Sequence, residues 1–214
     1  MSKWKLPGRW LFAPRNEGGR QKPQSGTPPP KNPVLPDFDY FAPEALKRVV
    51  KPSDEVCDCC EQRRGFLYTG PFYQPRGYDI EICPYCIKDG SAAAKFDGSF
   101  NDIVIEFDGE VINAEAAKVP DAVIDELLHR TPGYESWQGN MWAFYGGKGG
   151  IFQGDATKEA VESASEESIA HFDAINGPGM WAEFIQGYTP EGSISVYHFK
   201  LRNSEIDLFL WDMD

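Results

Sequence analysis

The sequence predicts an α+β protein in which a zinc-ribbon-like, β-rich lobe is followed by a mixed α/β lobe with antiparallel strands. Three observations carry that expectation. Two C-x2-C pairs, Cys57 with Cys60 and Cys83 with Cys86, are separated by 22 residues that hold aromatic runs broken by glycine and proline. Beyond residue 100, helix-period segments interleave with strand-like runs. Hydrophobic residues make up 41% of the 214 and aromatics 14%, enough for a packed core at a length that suits one domain or two small ones.

The elements follow in order. Residues 1–35 read as a disordered, basic tail, because Pro14, Gly18, Gly19, Pro23, Gly26 and the triple proline at 28–30 suit neither a helix interior nor a ladder strand. Residues 36–100 form the zinc-ribbon-like lobe. Within it, 44–50 suits a short helix ended by Pro52, and Phe66, Tyr68, Phe72, Tyr73 and Tyr78 read as short strands and a hairpin. Asp89-Gly90 is a turn, and 91–96 is an alanine-rich helical turn or two.

Residues 101–214 form the mixed lobe. A strand at 103–107 turns at Asp108-Gly109. A helix at 121–129 begins after Pro120, turns Val123, Leu127 and Leu128 inward, and stops at Pro132-Gly133. Strands at 141–145 and 151–152 flank the glycine-rich turn 146–150. The 156–175 stretch is helical, with Ile169, Phe172 and Ile175 on one face. Strands at 194–201 and 206–211 pair antiparallel across Arg202-Asn203-Ser204. Asp207, Asp212 and Asp214 are expected to be exposed on the last strand and its end.

Charge is distributed unevenly. Residues 1–36 carry seven basic residues and one acid, a balance of +6, whereas the remainder carries 14 basic and 32 acidic residues, a balance of −18. A body of that charge repels nucleic acid and anionic membrane and attracts a basic protein. No apolar run is long enough to span a bilayer, and Trp10-Leu11-Phe12 is too short for a secretory signal core. A cytoplasmic location is the expectation.

The strongest chemical signal is the cysteine set. Tight C-x2-C turns present two sulfurs to one ion, so Cys57, Cys60, Cys83 and Cys86 are expected to hold one structural Zn2+. Four thiolates close the coordination shell and leave no position for a reactive water. Buried or disulfide-bonded cysteines and a redox dithiol are the competing readings. Cys59 is a spare thiol that could replace Cys57 or Cys60.

Catalytic groups are thin. His129, His171 and His198 sit in no metal or protease motif. The run Gly146-Gly147-Lys148-Gly149-Gly150 lacks the Ser or Thr that must follow the lysine of a phosphate loop. No nucleophile elbow is present, and the expectation is a non-enzyme.

Several motifs resemble the CbrC family, named for colicin tolerance. They are Cys57-Asp58-Cys59-Cys60, Ile82-Cys83-Pro84-Tyr85-Cys86-Ile87 running on through Asp89-Gly90-Ser91-Ala92-Ala93, and Arg130-Thr131-Pro132-Gly133-Tyr134 with Trp137-Gln138. The resemblance covers 35–145 best. It implies a bacterial tolerance or immunity protein whose acidic surface binds a basic partner such as a nuclease-type toxin. The alternative is a cytoplasmic zinc-ribbon adaptor unrelated to toxins. The resemblance also implies further cysteines in the second half, and here 145–150 and 199–204 hold none. The second half is then expected to rest on apolar packing by Trp142, Phe144, Phe199, Leu201, Phe209 and Trp211.

Overall fold

The computed structural model describes residues 28–214, apart from Arg76, Tyr78, Gln138, Glu191 and Asp214. Most of the expected tail, Tyr78 and Asp214 therefore lie outside the described residues. Elements are short in the first half. Helix α1 (Pro43–Leu46) opens on a proline whose missing N–H would have had no helical acceptor. Strand β1 (Val50–Ser53) pairs antiparallel with β2 (Gly65–Tyr68), Val50 opposite Tyr68 and Ser53 opposite Gly65. Among the described residues, the expected hairpin between the cysteine pairs is thus not formed. The partner of β2 precedes the first pair, and beyond β2 Tyr73 makes a single bridge to Ser99. Pro52 does not end a helix; it lies inside β1, where a two-stranded sheet leaves an edge that needs no N–H.

Helices α2 (Pro84–Lys88) and α3 (Ser91–Phe96) follow, joined by Gly90, whose φ of 77° is readily adopted by glycine. The hairpin of β3 (Glu106–Phe107) and β4 (Glu110–Val111) keeps only the end of the strand expected at 103–107. Helix α4 (Asp121–His129) forms as expected, with Leu127 fully buried. Strands β5 (Phe144–Tyr145) and β6 (Lys148–Gly149) form a hairpin through Gly146-Gly147, both at positive φ.

The largest sheet is antiparallel, in the order β7 (Ile151–Asp155), β8 (Ile194–Lys200), β9 (Asp207–Met213). Between β7 and β8 the expected single helix is two. Thr157 caps α5 (Lys158–Glu162) by accepting from Ala160 N, and Ser165 caps α6 (Glu166–Asn176) by accepting from Ser168 N. Two caps in one stretch define two starts. Ile175 is 52% exposed rather than inward. Two successive i+3 steps from Ile169 carry a side chain about 120° round the helix.

One core cluster draws on both sides of residue 100. It joins Phe41, Leu46 and Phe100 to Leu127, Trp142, Phe152 and Phe199. Tyr134 stacks on Phe152 at 4.4 Å within it. A second cluster packs Phe172 of α6, with Trp181 and Ile185 of the π-helical turn Trp181–Ile185 that follows it, against Val196 and Phe209 of the sheet. Apolar packing therefore fills the second half: Trp142 and Phe199 meet at 5.3 Å, Trp181 and Phe209 at 5.2 Å.

Candidate metal centre

The first cysteine turn follows β1 and closes on itself. Glu61 N donates to Cys57 O at 2.8 Å, and Cys57 N donates to Gln62 O at 3.0 Å. The second is set by a helix start. Cys83 precedes α2, Pro84 occupies its first turn, and Cys86 N donates back to Cys83 O at 3.1 Å. The two turns are tied together by Asp58 N donating to Glu81 O at 2.7 Å and Glu81 N donating to Asp58 Oδ2 at 2.9 Å.

These ties bring all four expected residues to one point. The Sγ atoms of Cys57, Cys60, Cys83 and Cys86 lie within 4.8 Å of one another and could hold a metal ion. Cys57 and Cys86 are 3.9 Å apart, as are Cys60 and Cys83, and Cys83 and Cys86 are 3.5 Å apart. Cys83 N also donates to Cys57 Sγ at 3.2 Å. All five cysteines are free, and these separations far exceed a disulfide bond of about 2 Å. Cys57, Cys83 and Cys86 are buried and Cys60 half-buried. Cys59 stands outside the set, its sulfur 3.4 Å from Ser91 Oγ.

The sulfurs act on one another. Hydrogen bonds with Cys83 and Cys86 pull the Cys57 thiol far down, and the bond to Cys57 pushes Cys83 and Cys86 up. Two cations approach. Lys95 on α3 donates to Asp58 O at 2.9 Å and Cys59 O at 2.8 Å. Arg64 lies over the Tyr85 ring at 5.3 Å, and hydrogen bonding to Cys60 raises its pKa. Its Nε is buried with no hydrogen-bond partner. Neither cation was marked as functional by the sequence; a basic residue within a few positions of a cysteine pair was the available signal for Arg64.

The histidines do not converge. His129 Nδ1 meets Asp125 at 2.9 Å on α4, His198 Nε2 meets Asp207 at 2.8 Å across the sheet, and His171 is buried edge-on to Tyr145. An open cleft of about 910 Å3 lies elsewhere, lined by Arg48, Tyr73, Glu135, Trp137, Asp155 and Tyr188 among others and by none of the histidines.

Asp212 corrects the expectation of an exposed C-terminal acid, being only 3% exposed. Its Oδ2 accepts from Ser136 Oγ at 2.8 Å, Trp137 N at 2.9 Å and Tyr197 OH at 2.8 Å, while Oδ1 is buried without a partner. Strand register carried no warning, because both faces of this strand are packed: Leu208 and Phe209 are both buried.

Fold and site together define a mixed α/β protein with small antiparallel sheets and a closed four-cysteine cluster. The chain belongs to the uncharacterised protein family UPF0167, which it matches over residues 35–213. A UPF0167 protein of Pseudomonas aeruginosa is 34% identical over 174 residues, covering 78% of this chain and 91% of the relative. A UPF0167 protein of Mycobacterium bovis is 38% identical over 179 residues, covering 81% and 91%. No solved structure matches the chain. The family match corrects the resemblance drawn from the cysteine and Arg-Thr-Pro-Gly-Tyr motifs: the family is UPF0167, and neither it nor these relatives carry the CbrC or colicin-tolerance name. Those motifs are short and lie around turns and a metal-type cluster, which mark a local structure rather than a role. No helix among the described residues is long and apolar enough to cross a membrane.

Proposed function

We propose that this protein is a zinc-stabilised interaction module of the cytoplasm whose acidic body takes a basic protein segment. The observation that carries the metal part is the sulfur geometry. Four sulfurs about 2.3 Å from a tetrahedral zinc stand about 3.8 Å apart, and separations of 3.5 and 3.9 Å bracket that value. The set is all thiolate and closed, so the ion's role is structural and zinc-ribbon-like rather than hydrolytic. Four free thiols suit a reducing compartment.

The interaction part rests on charge. The balance of −18 beyond residue 36 disfavours nucleic acid and speeds association with a basic protein. A tolerance role against a toxin followed from the corrected resemblance and is not carried forward. The test measures zinc in purified protein and in the Cys83→Ser variant, then titrates wild type with a polybasic peptide at two salt concentrations. One zinc per chain, lost in the variant, and salt-sensitive saturable binding support the reading. A chain purified without zinc that takes up none overturns the metal part, and absence of polybasic binding at low salt overturns the interaction part.

A further inference from the structure

The cleft beside Trp137 has unusual walls. Trp137 is 72% exposed, yet its backbone is pinned by the buried Asp212 carboxylate, so a large aromatic face is held ready at the surface. Tyr73 faces the same cleft and is itself fixed by its hydroxyl donating to Asn140 Oδ1. Pro71 and Pro190 also line it. Charge is acidic at the rim: Arg48 is consumed by Asp155 at 2.7 Å, and among the described residues Glu135 is paired to no cation. Exposed aromatics with a flanking acid are what a basic, proline-rich peptide requires, because an extended left-handed chain stacks its rings on aromatic faces without first losing much entropy.

The chain carries such a peptide. Before the first described residue it holds Pro14-Arg15, Arg20 and Lys22-Pro23, and then Pro28-Pro29-Pro30. The anchor of that segment is near the cleft. Pro33 packs at Gly65, where an added Cβ would stand 2.5 Å from its ring, and Gly65 begins β2. Thr69, one residue beyond the far end of β2, lines the cleft. Four strand steps separate them, about 13 Å. The 14 residues from 14 to 27 reach about 43 Å in an extended proline-type helix.

We propose that the cleft bounded by Trp137, Tyr73 and Glu135 is the docking site for the proline-containing basic arm of this same chain, residues 14–27. The inference deepens the proposed function, resting on the reading that the acidic body takes basic segments, and names the face that does so. The arm then acts as a tethered competitor for any basic partner. It precedes the stretch matched by the family. A short tether supplies an effective concentration of about 1 mM; against a dissociation constant of about 0.1 mM, the arm is docked about nine-tenths of the time.

The test uses the full chain. Trypsin cleavage after Arg15 and Arg20 is timed by mass spectrometry in wild type, Trp137→Ala and Glu135→Lys, with circular dichroism to verify folding. Both side chains are exposed, so neither change should disturb the core. Docking in cis predicts cleavage about ten-fold faster in Trp137→Ala, faster also in Glu135→Lys and at high salt, with wild-type protection independent of protein concentration. Equal rates in all three proteins overturn the proposal, as does protection that survives Trp137→Ala. Protection that fades on dilution means that the arm of a second copy occupies the cleft, and overturns the intramolecular form. Zinc content is read in the same samples. A zinc-free wild type with a cleft-dependent arm would defeat the metal reading alone, whereas a zinc-loaded protein with an indifferent arm would defeat this inference alone.

Discussion

The carboxylate of Asp212 accepts the backbone N–H of Trp137 at 2.9 Å, joining the last strand to a loop 75 residues earlier. The same oxygen takes Ser136 and Tyr197, so one buried atom organises three donors. Asp212→Ala strands all three and is expected to cost about 3 kcal/mol in urea unfolding, with Trp137 changing its fluorescence. Asp212→Asn keeps an oxygen for the donors and places its amide where Oδ1 has no partner. It should cost about 1 kcal/mol. Equal losses in the two variants would show that charge, not the acceptor, holds the loop.

Gly133 is expected to be the least replaceable glycine. A Cβ there would stand 2.1 Å from Phe100 O and 2.6 Å from Asn140 Nδ2. Both neighbours are fixed: Asn140 Nδ2 donates to Phe100 O at 2.8 Å and to Asn101 Oδ1 at 3.0 Å, and Gly133 N donates to Tyr68 OH at 2.8 Å. The backbone has nowhere to go, so Gly133→Ala should destabilise by about 4 kcal/mol or prevent folding at 37 °C. Gly109→Ala, at a tip with nothing within 4 Å, is the comparison; its positive φ alone should cost about 1 kcal/mol. Thermal melting of the two proteins decides.

Legibility in the sequence followed the range over which each feature is encoded. The cysteine set was readable because two local turns each fix a pair of ligands, and convergence needs only that the turns meet. Helix α4 was readable because Pro120 and Pro132-Gly133 punctuate it within a few residues. The β8–β9 pairing was readable from alternation about a short connection. The β1–β2 ladder was not, since β1 contains Pro52 and lies on the far side of the first cysteine turn from its partner. Asp212 was missed for the same physical reason: an acid in a strand is buried only if distant donors reach it, and those come from Ser136, Trp137 and Tyr197.

The cations beside the cysteines make a prediction about metal affinity. Four thiolates and a divalent ion carry a formal −2 in a body that is already strongly acidic. Arg64 beside Cys60 and Lys95 on the carbonyls of Asp58 and Cys59 offset that charge. Arg64→Met and Lys95→Met are each expected to weaken zinc binding about ten-fold in competition with a chromophoric chelator. Cys59→Ser should leave zinc content at the wild-type level, because Cys59 stands outside the four-sulfur set. Zinc loss in Cys59→Ser would mean that it enters the coordination shell.

His171 gives the chain a pH dependence of known sign. The ring is buried on α6 against Tyr145, and burial holds its pKa below the ordinary value, only partly opposed by the charge of Glu115 and a hydrogen bond with the Phe144 backbone. In the unfolded chain the ring titrates near its usual value of about 6.5. The unfolded state therefore binds the proton more readily. The stability contributed by a neutral His171 is present above about pH 6.5 and is lost as pH falls from there toward the lowered folded value. His171→Gln cannot take up that proton, so its urea midpoint should fall less than that of wild type between pH 7.5 and 5.5. Acid would also protonate thiolates and release any metal they hold, but both proteins carry the same five cysteines, and their difference isolates the ring. Parallel losses in the two proteins would show that burial does not hold the His171 pKa below its value in the unfolded chain.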